Sequence, residues 1–194
     1  MNIGLYFGSF NPIHHGHLHV ARQTLQQQNL DEVWFVVSPQ NPFKENSELA
    51  PEQHRLQMAR LACEEEKKFG VCDIEFNLPR PSYTIDTILA LSEKHPEYTF
   101  QLIIGEDNLP AFDRWKKFDD LLTLVGLIVY PRTHVTPAIP SSLESFTDRI
   151  YFLRGELIEI SATEIRNKVY HGESISGLTP PVVTDYITKN GLYR

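Results

Sequence analysis

The chain has 194 residues, a formal net charge of −7, 41% hydrophobic residues and 22% charged residues. That length suits a folded unit that buries a core without disulfide or metal staples. The acidic balance argues against a nucleic-acid partner, which basic surfaces bind, yet a small anion can still occupy a locally positive pocket. No apolar run approaches the roughly 20 residues that span a bilayer, so no membrane partner is expected. Cys63 and Cys72 show no CxxC spacing, which predicts reduced thiols in a cytoplasmic protein. The first residues lack a basic stretch followed by an apolar one, so no secretory leader is expected.

Residues 3–7 form an apolar run that reads as a buried parallel strand. Leu18, Ala21 and Leu25 then recur at the spacing of one helix face, giving a helix over 16–28. Between the two stands Gly8-Ser9-Phe10-Asn11-Pro12-Ile13-His14-His15-Gly16-His17. In an open α/β sheet, ligands bind at strand-to-helix turns outside the carboxyl ends of the strands. A helix N-terminus there suits a phosphate. His14 and His17 lie near the helix start at a spacing that can share a face. They can donate to phosphate oxygens and, as cations, offset charge developing in phosphoryl transfer. Gly16 lacks a Cβ, so a ligand can approach the backbone closely. His14, His15, His17 and His19 have no carboxylate or thiol nearby in sequence, so no metal site is expected in this run. His15 and His19 read as exposed helix residues.

Residues 33–37 give a second strand, and 38–50 a polar loop with Pro39, Pro42 and Lys44. Pro51 suits the first turn of a helix whose apolar face carries Leu56, Ala59 and Cys63. Residues 71–76 read as a third strand, and Thr84 is placed to cap a helix carrying Ile85, Ile88 and Leu89. A fourth strand over 100–104 closes at Gly105, with Glu106, Asp107, Phe112 and Trp115 beyond it. Trp115 suits stacking on a flat ring. A short helical piece ends at 121–122, a fifth strand covers 125–130, and 131–148 is a Pro-, Ser- and Thr-rich loop. A sixth strand at 150–153 precedes helices over 161–170 and 181–189, the last stopped near Gly191. Ser161 and Glu164 fit a capping box. With Thr163 and Arg166, that helix start offers hydroxyls, N–H groups and a guanidinium, a cradle for a polyphosphate. The alternation predicts an α/β fold with a doubly wound parallel sheet. Right-handed crossovers bring the turns at 8–17, 38–44 and 105–115 to one rim. The sequence contains no P-loop, GxGxxG, GxSxG elbow or kinase motif set.

The run from Gly8 to His17, together with Ile160-Ser161-Ala162-Thr163-Glu164-Ile165-Arg166, resembles the nucleotidyltransferase superfamily with the (H/T)xGH signature. Within it, the chain looks like the bacterial nicotinate-mononucleotide adenylyltransferases of NAD biosynthesis. The likeness covers nearly the whole chain, including residues 39–44, Tyr83-Thr84-Ile85-Asp86-Thr87, Ile104-Gly105-Glu106-Asp107, Phe112, Trp115, Tyr186-Ile187 and Leu192-Tyr193. It implies a Rossmann-like fold with helices on both faces of the sheet. It also implies a single nucleotidyltransferase domain over 1–194, the last ~35 residues forming a helical C-terminal part that carries ISxTxIR. The implied reaction is adenylyl transfer from ATP to nicotinate mononucleotide, giving deamido-NAD and pyrophosphate, with Mg²⁺ arriving on ATP.

The resemblance further implies His14, His17 and Arg166 as catalytic residues. ATP would be bound by Gly8, Ser9, Phe10, His14, His17, Lys44, Gly105, Asp107, Ser161, Thr163 and Arg166. The mononucleotide would be bound by Ser9, Lys44, Thr84, Trp115 and Arg132. A homo-oligomer is compatible with the chain. Ser9 and Asn11 stand where family members often show Thr and Asp, a variant that also resembles dual-specificity eukaryotic relatives. Use of nicotinamide mononucleotide, or of both mononucleotides, is therefore the alternative substrate reading. Another nucleotidyltransferase such as the pantetheine-phosphate type, or a nucleotide-binding regulatory module without turnover, completes the alternatives.

Overall fold

The structure is a computed structural model that describes residues 1–39, 49–133, 138–155 and 158–194. Six parallel strands form its sheet: β1 (Asn2–Gly8), β2 (Glu32–Val37), β3 (Phe69–Cys72), β4 (Thr99–Gly105), β5 (Gly126–Tyr130) and β6 (Ile150–Phe152). Their order is β3-β2-β1-β4-β5-β6. The chain therefore winds outward from β1 to β3, crosses back, and winds outward again from β4 to β6. The reversal falls between β1 and β4, where Leu5 lies opposite Leu102 and Tyr6 opposite Ile103. A crevice opens beyond the carboxyl ends of such a pair, because the connections leave in opposite directions.

Six α-helices cover the sheet: α1 (His15–Gln27), α2 (Glu52–Cys63), α3 (Thr84–Lys94), α4 (Phe118–Leu124), α5 (Ala162–Tyr170) and α6 (Pro181–Lys189). Side chains alternate along each strand and so sort the helices by face. Tyr6, Phe35, Ile103 and Ile128 pack with Leu18 and Ala21 of α1, Leu56 and Ala59 of α2, Ile165 of α5, and Val183 and Ile187 of α6. Ile3, Leu5, Leu102, Ile104 and Val129 pack with Ile85 and Ile88 of α3 and Leu121 and Leu122 of α4 on the other face. Each buried Leu, Ile, Val or Phe among them contributes roughly 1.5–3 kcal/mol. Both faces being covered, the strand ends that carry the site stand on a rigid base. The doubly wound Rossmann-like expectation is met.

Local differences have simple causes. The third strand is Phe69–Cys72, and residues 74–77 coil into a 3-10 turn after it. The Phe76 N–H donates back to the Asp73 carbonyl, which ends the ladder early. Tyr83, not Thr84, is the N-cap of α3, and its carbonyl takes the first helical N–H groups. Part of the 131–148 loop, Ser141–Arg149, is wound as 3-10 helix.

Candidate active site

Two cavities open at the carboxyl ends of β1 and β4. The larger, of 540 Å³, is lined by Phe10, Asn11, His14, Gly16, His17, Asp107, Arg132, Ile160 and Ser161 among others. The smaller, of 220 Å³, takes in Ser38, Glu75, Ser82, Tyr83, Thr84, Gly105, Trp115 and Lys116. Tyr6, Phe7, Gly8, Ser9, Asn108 and Tyr130 line both. A molecule filling the two would cross over Gly8 and Ser9.

That common wall depends on a tight reversal after β1. Phe10 adopts φ 45°, a left-handed conformation that costs a bulky residue of order 1–3 kcal/mol. Its ring folds back on the strand end, so a Cβ at Gly8 would lie 2.9 Å from it. Phe10 is thereby buried, edge-on to Tyr6, His17 and Phe35.

His14 is the N-cap of α1, and its ring stacks on His17 with 3.7 Å between centroids. The His14 main-chain N–H donates to Nδ1 of His17 over 3.2 Å. A neutral His17 therefore carries its proton on Nε2, the remaining ring nitrogen. Nδ1 of His14 is buried and has no hydrogen-bond partner among the described residues. Burial, then the Arg132 charge and His15, bring His14 down to about 4. Burial, then His14 and Arg132, hold His17 well below the usual imidazole range. Both rings are neutral at pH 7 in the free protein, so they meet a phosphate as neutral donors. A polyphosphate beside them would favour the protonated forms. Gly16 lines the larger cavity, and a Cβ there would lie 3.0 Å from the His14 ring.

Ser161 closes the far side of the larger cavity. Its Oγ accepts the Glu164 N–H at 3.1 Å, which gives the Ser161 half of the expected capping box, and the hydroxyl proton is left to donate. Arg166 reaches the first turn from behind, where Nη1 donates to the Asn11 carbonyl at 3.1 Å. Its Nη2 lies 3.4 Å from Thr163 Oγ1. Gly105 and Asp107 are divided between the smaller and larger cavities. Thr84 and Trp115 share the smaller one, Trp115 stacked on Phe112 at 4.9 Å. Arg132 does not join them. It lines the larger cavity, donates from Nη2 to the Tyr130 hydroxyl at 2.9 Å, and has Nε 3.6 Å from Asp107. The Tyr130 hydroxyl and the Asp107 carboxylate hold its guanidinium there. Lys44 lies outside the described residues.

Residues 5–168 match the cytidylyltransferase-like family. The chain is 44% identical over 194 residues to a probable nicotinate-nucleotide adenylyltransferase of Flavobacterium johnsoniae, with all of both chains covered. It is 46% identical to another so named in Cytophaga hutchinsonii, over 100% of this chain and 98% of that one. The chain belongs to the cytidylyltransferase-like family, in its nicotinate-nucleotide adenylyltransferase branch. Its fold also superposes on the Plasmodium falciparum nicotinic acid mononucleotide adenylyltransferase complexed with NaAD, with a TM-score of 0.78 at 25% identity. That match covers 99% of this chain and 97% of the other.

Two further charged residues at the site are not revealed by the motifs. Arg55 on α2 is 1% exposed. Its Nε donates to the Ala50 carbonyl at 2.9 Å, Nη1 to those of Ser9 and Ser38 at 2.7 and 2.6 Å, and Nη2 to that of Pro39 at 2.6 Å. One guanidinium thus ties the turn after β1 to the turn after β2. Its signal in the sequence is position: Arg55 falls on the helix stripe of Ala59 and Ala62. Glu75 is buried in the wall of the smaller cavity and accepts from the Thr87 hydroxyl at 2.8 Å. Burial raises its pKa, while hydrogen bonds from Thr87, Ser38 and Ser82 oppose that rise. Reading 71–76 as strand hid the turn that points this carboxyl inward.

Proposed function

We infer that the chain transfers the adenylyl group of Mg-ATP to nicotinate mononucleotide, releasing deamido-NAD and pyrophosphate. The observation that carries this reading is the pair of cavities with a common wall. The larger suits a nucleoside triphosphate, the smaller a pyridine nucleotide, and the seam at Gly8 and Ser9 suits the point where their phosphates meet. The names of the Flavobacterium and Cytophaga relatives, and the NaAD complex of the Plasmodium protein, support the same assignment.

The chemistry asks little proton transfer of the protein. The mononucleotide phosphate is already ionised at neutral pH. One of its oxygens attacks the α-phosphorus of ATP, a new P–O bond forms as the α–β bridging bond breaks, and pyrophosphate leaves in line. Catalysis is then positioning and charge stabilisation. On this reading His17 donates from Nε2 to a phosphate oxygen, and His14 adds a second imidazole beside it. Both gain protons more readily as negative charge gathers. Ser161 lines the larger cavity on the departing pyrophosphate side, with Thr163 and Arg166 behind it at the same helix start. Gly8, Ser9 and Phe10 line the nucleotide backbone, and Gly105 and Asp107 stand near the ribose. Arg132 supplies a fixed positive charge to the triphosphate. Thr84 and Trp115 receive the mononucleotide, with Trp115 against the pyridine ring.

Asp107 is the one carboxylate among the described residues lining the larger cavity, and it faces Arg132. Such a wall suits Mg²⁺ that travels on the triphosphate rather than in a protein cage. We place the activity in the cytoplasm, where the free thiols of Cys63 and Cys72 stay reduced. The test is pyrophosphate release from Mg-ATP with nicotinate mononucleotide, nicotinamide mononucleotide or pantetheine phosphate. The acid mononucleotide is expected to give the highest kcat/KM. Release with pantetheine phosphate alone would reassign the acceptor, and release with none of the three would leave a binding module.

A further inference from the structure

Among the described residues, the turn after β1 is gripped from outside its own segment at Ser9 and twice at Asn11. Arg55 holds the Ser9 carbonyl and Arg166 holds the Asn11 carbonyl. The third grip is on a side chain. Asn11 is 5% exposed, and its Oδ1 accepts the Ala50 N–H at 3.1 Å and the Tyr193 hydroxyl at 2.9 Å. Tyr193 is itself bent into the left-handed region at φ 64°, just after the Leu192 N–H returns to the Ile187 carbonyl of α6. Its ring packs against the α1, α2, α5 and α6 core. The phenol thus stands on a fixed base when it meets Asn11.

A bulky residue keeps a left-handed backbone only where its surroundings over-determine it. Phe10 is such a residue, and it lies between the two gripped carbonyls. We propose that Tyr193 is a positioning residue for adenylyl transfer: by fixing the Asn11 side chain, its hydroxyl holds the Phe10 turn and the His14 cap in the shape that receives the triphosphate. The proposal rests on the adenylyl-transfer reading. Tyr193 acts through Asn11 and lines neither of the two cavities described above. Burial pushes the phenol pKa up, so the hydroxyl remains a donor over the working pH range.

Tyr193→Phe deletes one oxygen and keeps the ring. The KM for ATP should rise and kcat/KM for ATP fall by about five- to tenfold, the size of one lost hydrogen bond. The mononucleotide KM should change less, about twofold, since Phe10, Asn11 and His14 line the larger cavity and not the smaller. In an Asn11→Ala background the same substitution should cost nothing further, because two changes on one chain of contacts do not add. In the free protein, amide resonances of Ser9, Phe10 and Asn11 should shift in Tyr193→Phe while those of β5 stay in place. An unchanged kcat/KM, full additivity in the double variant, or unmoved Phe10 and Asn11 amides would each overturn the proposal. Should the parent protein release no pyrophosphate, the activity reading fails on its own. The amide shifts and the calorimetric affinity for ATP still decide the role of Tyr193.

Discussion

The two cavities share a wall but are assembled differently. The larger draws its key groups from one short stretch, residues 8–17, closed by Ser161 and Arg132. The smaller gathers single residues from separate places: Ser38, Glu75, Ser82, Thr84, Gly105 and Trp115. A strand end, a tight turn and a helix N-terminus suffice to receive a phosphate chain, because main-chain geometry does most of the work. Receiving a particular pyridine nucleotide takes side chains whose spacing only the folded sheet sets.

If the larger cavity carries the chemistry, His17→Ala should lower kcat by about 10²–10³-fold, the usual cost of one preorganised donor. Its thermal midpoint should stay near that of the parent. A matching loss of both would make His17 a packing residue and erase the contrast. Arg55→Leu is the variant that should damage both cavities together. Four main-chain carbonyls lose a buried donor, so urea unfolding should show a loss of at least about 3 kcal/mol, and both substrate KM values should rise. A rise in one alone would mean that the turns after β1 and β2 are held independently. Trp115→Ala sharpens the comparison from the other side. It should raise the mononucleotide KM about tenfold, within the range for loss of base–aromatic stacking, and leave the ATP KM nearly unchanged.

The smallest effect concerns acid. The folded-state pKa of His14, about 4, lies below its ordinary value of 6.5. Between those values the unfolded chain binds more protons than the folded one, so stability declines as pH falls through that window and is complete above it. The thermal midpoint should drop from pH 6.5 towards 4, and His14→Gln should flatten the drop. A midpoint indifferent to pH in both proteins would place His14 in water rather than in the wall.

Most strands of the sheet were legible because each is a short apolar run, although the third lies earlier than the run at 71–76 suggested. The larger cavity was legible because its polar groups are neighbours in sequence. The state of its histidines was not, since their neutrality comes from burial and from Arg132, more than a hundred residues away. Nor was it legible that Arg132 lines the larger cavity and Thr84 and Trp115 the smaller, because a sequence does not say which side of the crevice a residue past a strand end presents. Glu75 and Arg55 escaped notice for a related reason. A charged residue reads as solvated until the fold supplies the hydroxyls or carbonyls that satisfy it.

Arg55 grips carbonyl oxygens, which every amino acid possesses. The side chains at positions 9, 38 and 39 can therefore be exchanged without loosening that clamp. The frame that spaces two reactants is thus uncoupled from the groups that choose between them. Descendants of one ancestral scaffold could trade acceptor preference by a few wall substitutions while inheriting the same alignment of reacting phosphates.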